Sequence, residues 1–67
     1  MEMIDVKSSN IKAIGWFNKV LFVEFLAGTL YTYFNVPKEV FNDFLFSSSK
    51  GKYLNANIKN AFRFQKV

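Results

Sequence analysis

From Val20 to Phe34 the chain reads "VLFVEFLAGTLYTYF", apolar or aromatic at nearly every position, with Glu24, Gly28 and two threonines as the interruptions. β-branched and aromatic residues at this density, split by a glycine, predict two strands, Val20–Leu26 and Thr29–Phe34, joined as a hairpin. The loop between them decides where the side chains go. A two-residue loop on Ala27-Gly28 demands a positive φ at Ala27, which alanine tolerates poorly. A three-residue loop, Leu26-Ala27-Gly28, demands it only at Gly28 and is favoured. It pairs Phe25 with Thr29, Val23 with Tyr31 and Leu21 with Tyr33. Both tyrosines then share the more apolar face with Leu21, Val23 and Phe25, leaving Phe22, Leu26, Leu30 and Phe34 on the other. A slip of one residue would reverse this, because strand side chains alternate.

The flanking segments extend the same pattern. Met3–Val6 predicts a short edge strand, followed by a polar "SSN" turn. Ile11–Phe17 predicts a strand, and Gly15 inside it suggests a bulge or a close backbone approach. "NK" at 18 and 19 predicts the turn into the hairpin. Beyond Asn35 the period changes. Pro37 suits the first position of a helix, with Glu39 in the first turn, and Val40, Phe41, Phe44 and Leu45 form one stripe. The serines at 47–49 end it, and Ser49 can cap a second helix to about Lys59 whose Tyr53, Leu54 and Ile58 face inward. Phe62–Val67 alternates enough for a last short strand. The expected fold is α+β: a small antiparallel meander of three to five strands with two short helices packed on one face, a single domain over residues 1–67.

Composition sharpens this picture. At 67 residues the chain is near the lower size at which a domain folds unaided. It holds no cysteine and no histidine, so neither a disulfide nor a thiolate or imidazole metal site is expected, and no cofactor is called for. Hydrophobic residues make up 51%, with nine Phe, three Tyr and one Trp, more ring surface than so small an interior hides. Some rings are therefore expected at a ligand face or a self-association surface, and a homodimer would add stability. Glu2 and Asp5 are unlike the start of a signal peptide, and the longest apolar run is too short to span a bilayer. The expectation is a soluble, cytoplasmic protein with no membrane partner.

Charge is uneven. Residues 1–47 carry four lysines against five acids, whereas residues 48–67 carry Lys50, Lys52, Lys59, Arg63 and Lys66 with no acid. A one-sided basic end suits a polyanionic partner, although lysines also serve solubility.

The order of these pieces resembles the KTSC domain, which occurs at the C-terminus of some lysyl-tRNA synthetases and as a free-standing small protein. The resemblance runs almost the full length: "SSNIKAIGW" (8–16), "LFVEF" (21–25), Gly28, the Y-x-Y of Tyr31 and Tyr33, "VP" (36–37) and "SKGKYLNANIK" (49–59). Leu54 stands where an aromatic is usual, and Lys59 where an arginine is common. The resemblance implies an α+β fold and points to RNA through the company the domain keeps.

Three candidate constellations remain. Tyr31 and Tyr33 are either a platform on which bases stack or core residues bonding their hydroxyls locally; Trp16 faces the same choice. Ser49, Lys50 and Gly51 lead into a helix, either as an anion contact or as an ordinary cap, without the spacing of a P-loop. Lys52, Asn55 and Lys59, extended by Arg63, fall on one helical face that would follow a phosphate backbone or simply meet solvent. No catalytic set emerges: the acids are scattered and the serines lack a histidine. The reading is a non-catalytic RNA- or nucleic-acid-binding module in which Lys50, Lys52, Lys59 and Arg63 hold phosphates and Tyr31, Tyr33 or Trp16 stack bases. The alternative is a protein-interaction or self-associating module that modulates a larger partner.

Overall fold

The computed structural model describes residues 2–67. Five strands lie in chain order in one antiparallel sheet: β1 (Ile4–Asp5), β2 (Ile11–Phe17), β3 (Val20–Phe25), β4 (Leu30–Tyr33) and β5 (Phe64–Lys66). Between β4 and β5 the chain forms α1 (Lys38–Leu45) and then α2, which is α-helical over Lys50–Tyr53 and π-helical over Leu54–Ile58. Both helices cover one face of the sheet, so the architecture is the α+β meander that the pattern predicts. β2 has the predicted bounds, and the other four strands are shorter than predicted by one to three residues, because pairing stops where the backbone begins to turn.

Local backbone chemistry sets the two hairpins. Asn18 and Lys19 both take positive φ, 51° and 66°, as a two-residue type I′ turn requires. Gly28 has φ of 97°. The Phe25 N–H donates to the Thr29 carbonyl, and the Gly28 N–H to the Phe25 carbonyl, each at 2.9 Å. This is the three-residue loop expected from Ala27's aversion to positive φ. Leu21 accordingly faces Tyr33, and Val23 faces Tyr31.

The bulge lies elsewhere than at Gly15. Ile11 and Ile14 are both 0% exposed, yet residues three apart in a regular strand point to opposite faces. Both reach the core because the register shifts between Ile11 and Ala13, making Lys12 the extra residue. Lys12 Nζ then lies 4.0 Å from Glu24 Oε2. Gly15 sits in regular ladder opposite Phe22 and is buried.

The helices bring their stripes down on the sheet. Phe41 and Phe44 of α1, Leu54 and Ile58 of α2, and Val36 close over Ile14, Leu21 and Val23. Pro37 stands one position earlier than predicted, capping α1 in an extended conformation (φ −64°, ψ 152°). Its carbonyl accepts from the Val40 and Phe41 N–H groups. Ser49 caps α2 as predicted, its Oγ accepting from the Lys52 N–H at 3.4 Å. The π-helical stretch was not anticipated. Its mark is the Lys59 N–H donating to the Leu54 carbonyl at 2.8 Å, a five-residue closure.

Among the described residues no helix lies over the other sheet face. Phe17 is 63% exposed there, and Phe22, Leu30 and Phe34 are half-buried. Thr32 between them is buried and donates its hydroxyl to the Gln65 carbonyl at 3.2 Å, tying β4 to β5. Leu26, in the β3–β4 loop as expected, was also assigned to this face from the sequence but lines the groove on the helix side instead.

Candidate nucleic-acid interface

α2 does not close fully on the sheet, and the gap is a groove of about 650 Å³. Its floor is aromatic: Phe25, Tyr31, Tyr33 and Phe64. Antiparallel register puts them on one face, since Tyr31 faces Val23, and Tyr33 faces both Leu21 and Phe64. Leu54, Asn55 and Lys59 of α2 form one wall. Ser9 and Asn10, with Leu26, Ala27 and Thr29 of the hairpin loop, form the end.

The rings hold one another in place. The Tyr31 and Tyr33 rings are near-parallel with centroids 6.5 Å apart, and Phe25 meets Tyr31 edge-on at 5.5 Å. Phe64 lies 5.8 Å from both tyrosines. Exposure separates the four. Tyr33 is 4% exposed and part of the core, while Tyr31 and Phe25 are half-buried and Phe64 is 51% exposed. The ring surface a ligand would meet is therefore Phe64 first, then Tyr31 and Phe25, which meets Tyr31 edge-on. Burial, and then the neighbouring Tyr31, push the Tyr33 hydroxyl above the usual tyrosine range.

The rim is rich in donors. Ser8 Oγ accepts from the Asn10 and Ile11 N–H groups at 3.3 and 3.2 Å and donates to Asn10 Oδ1 at 3.1 Å. This side-chain turn fixes the "SSN" corner. It also occupies the oxygen of the Asn10 amide and leaves its N–H groups free of described partners. No lining residue is acidic. Lys66, opposite Tyr31 on β5, adds a second ammonium group on the same face.

The remaining candidates are dispersed. Lys50 Nζ donates to the Ser47 carbonyl at 2.6 Å, satisfying the chain just beyond α1. Ser49 is occupied as the cap of α2, and Gly51 lies against the Asn10 side chain. Lys52 is exposed outside the groove, so of the predicted face only Asn55 and Lys59 line it. The Arg63 carbonyl accepts from the Phe34 N–H, and by alternation its side chain falls on the side opposite Phe64. Trp16 is built into the fold. Its Nε1–H donates to the Val36 carbonyl at 2.8 Å, Phe41 lies 6.5 Å from its ring, and Lys38 Nζ stands 5.8 Å over it. It pins the approach to α1 and is absent from the groove. The sequence reading missed Phe64, Phe25 and Asn10. Phe25 was visible in the hairpin register, whereas Phe64 depended on a β4–β5 pairing across thirty intervening residues.

Among the described residues no cluster of three or more metal-ligating side chains occurs, and no helix is long and apolar enough to cross a membrane.

Fold and groove together define a small α+β domain in which a meander and two short helices enclose an aromatic cleft. The sequence model of the KTSC domain matches residues 7–62, and the chain belongs to that family. It is 32% identical to a KTSC domain protein of Yersinia pestis whose crystal structure superposes with a TM-score of 0.92, covering 98% of this chain and 96% of that one. A protein of Tsukamurella paurometabola is 40% identical over 63 residues, 91% of this chain and 94% of its own length. A lysine–tRNA ligase of Nostoc punctiforme is 34% identical over 67 residues; the match covers 97% of this chain but only 12% of the ligase.

Proposed function

We propose that this chain is a small non-catalytic RNA-binding module. One observation carries the reading: the fold gathers the Y-x-Y strand, Phe64 of β5 and Lys59 of α2, far apart in sequence, around one groove with no acidic residue in its lining. Aromatic faces beside cations are the elements by which single-stranded nucleic acid is held, each base stack contributing roughly 1–3 kcal/mol. The excess of positive charge after residue 47 supplies the field that draws a polyanion. A similar stretch in a lysine–tRNA ligase supports the reading.

The mechanism is electrostatic capture followed by stacking. Lys59 and Lys66 meet phosphates beside the rings, while Lys52 and Arg63 act at longer range from other parts of the surface. The test is an NMR amide-shift titration of the labelled protein with short single-stranded RNA and with a tRNA, at low and moderate salt. Shifts around Tyr31 and Lys59 that fade as salt rises are the expected result, since each neutralised phosphate releases counterions. An unchanged spectrum at low salt would refute the reading.

The uncovered sheet face favours a second reading, a protein-interaction or self-associating module. Phe17, Phe22, Leu30 and Phe34 give that face an apolar character, and among the described residues no helix covers it. Sedimentation at dilute concentration separates the two: a strict monomer counts against self-pairing.

A further inference from the structure

We infer that the groove receives an unpaired nucleotide of an RNA strand, with its base on Phe64 and Tyr31 and its phosphate at Lys59. The inference rests on the RNA-binding reading and specifies its ligand. Shape is the first argument. A concave site of about 650 Å³ has the scale of pockets that enclose a small organic molecule. Double-stranded RNA instead needs an outer surface that spans successive minor grooves. Inside a duplex the bases are stacked on one another and offer no free face to lay on Phe64 and Tyr31.

Chemistry is the second argument. Of the rings that keep free surface, Phe64 at 51% exposure and half-buried Tyr31 lie on adjacent strands, with half-buried Phe25 edge-on to Tyr31, and all three line the same groove as Lys59. Around them stand two donors, the Lys59 ammonium and the Asn10 amide N–H groups left free by the Ser8 bond, together with the Tyr33, Ser9 and Thr29 hydroxyls and the Asn55 amide, which donate or accept. Donors without a carboxylate suit phosphate oxygens and the carbonyl and ring-nitrogen acceptors of a base edge. Lys66, on the strand beside Phe64, stands where a neighbouring phosphate of the same strand would pass. A strand should therefore bind better than a free nucleotide.

The test compares four probes by NMR titration: an unstructured RNA trinucleotide, 5′-AMP, adenosine and a blunt-ended RNA duplex. Tyr31, Asn55, Lys59 and Phe64 should shift with the trinucleotide, less tightly with 5′-AMP, weakly with adenosine, and not with the duplex. Phe64→Leu keeps an apolar side chain on an exposed strand but removes the flat ring. It should lower trinucleotide affinity about five- to a hundredfold with the rest of the spectrum in place. Lys59→Gln should reduce the slope of log affinity against log salt by about 0.7. Three results would each overturn the inference while leaving an RNA module standing: a duplex bound as tightly as the trinucleotide with shifts outside the groove, full affinity in Phe64→Leu, or 5′-AMP binding as tightly as the strand. Failure of every RNA to bind would remove both.

Discussion

Replacing Gly28 with alanine isolates the backbone feature on which the position of the tyrosines depends. Gly28 has φ of +97°, and a Cβ built there has no heavy atom within 4 Å. The substitution therefore adds no clash, and its effect is purely conformational. Holding an L-residue at left-handed φ costs roughly 1–2 kcal/mol. Stiffening the unfolded chain with an extra methyl offsets roughly 0.4–1 kcal/mol of that, leaving about 1 kcal/mol of destabilisation by these two estimates. A domain of this size is stable by roughly 3–10 kcal/mol at ~0.05–0.15 kcal/mol per residue, so the variant still folds. Its melting temperature should fall by about 4–8 °C. Urea unfolding followed by Trp16 fluorescence should show a lower midpoint at unchanged slope. At 67 residues the chain is accessible to chemical synthesis, which permits the mirror-image control. D-Alanine at position 28 is at ease where L-alanine is strained, and should match or exceed glycine. An L-alanine variant as stable as the parent would refute the reasoning, as would equal losses from both enantiomers.

Two further substitutions probe the core and the groove. Phe44 is 0% exposed and stacks on Tyr53 with centroids 5.6 Å apart. Phe44→Ala should cost about 3–5 kcal/mol, comparable with the whole stability, and near-UV circular dichroism should show lost side-chain order; a native spectrum with an unchanged midpoint would contradict the packing. Tyr33 gives a pH dependence. Its pKa is raised in the folded state by burial and then by Tyr31, so with rising pH the unfolded chain loses this proton first. Stability should be full below the unfolded value of about 10 and decline as pH climbs from there toward the folded value. Tyr53, raised by burial and then by Asp43, adds in the same direction. Tyr33→Phe should flatten the alkaline decline of the urea midpoint, and an identical decline in both proteins would exclude Tyr33 as its source.

The two rings of the Y-x-Y pair differ in the structure. Tyr33 is core, stacked and closed in by Leu21 and Phe64, whereas Tyr31 keeps part of its surface in the groove. The strand "LYTY" is thus structural at one end and borders the candidate site at the other. The basic residues divide in the same way. Lys59 lines the groove, Lys50 is engaged with a backbone carbonyl, and Arg63 falls on the far side of β5.

What the sequence determined by itself are the features decided within a few residues. Ala27's intolerance of positive φ and Gly28's freedom select the loop, the loop selects the register, and strand alternation carries Tyr31 and Tyr33 to the face of Val23 and Leu21. The Val40–Phe41–Phe44 stripe and the Ser49 cap are equally local. The tertiary structure alone decided the rest. The bulge lies at Lys12 because Ile11 and Ile14 must both reach a core that includes residues from both helices. The β4–β5 register, which brings Phe64 beside the tyrosines, joins strands separated by both helices. The groove is the space left where α2, turning through its π-helical stretch, stands off the sheet. Such a gap is a difference between long-range packing contacts, and no local pattern of polar and apolar residues encodes it.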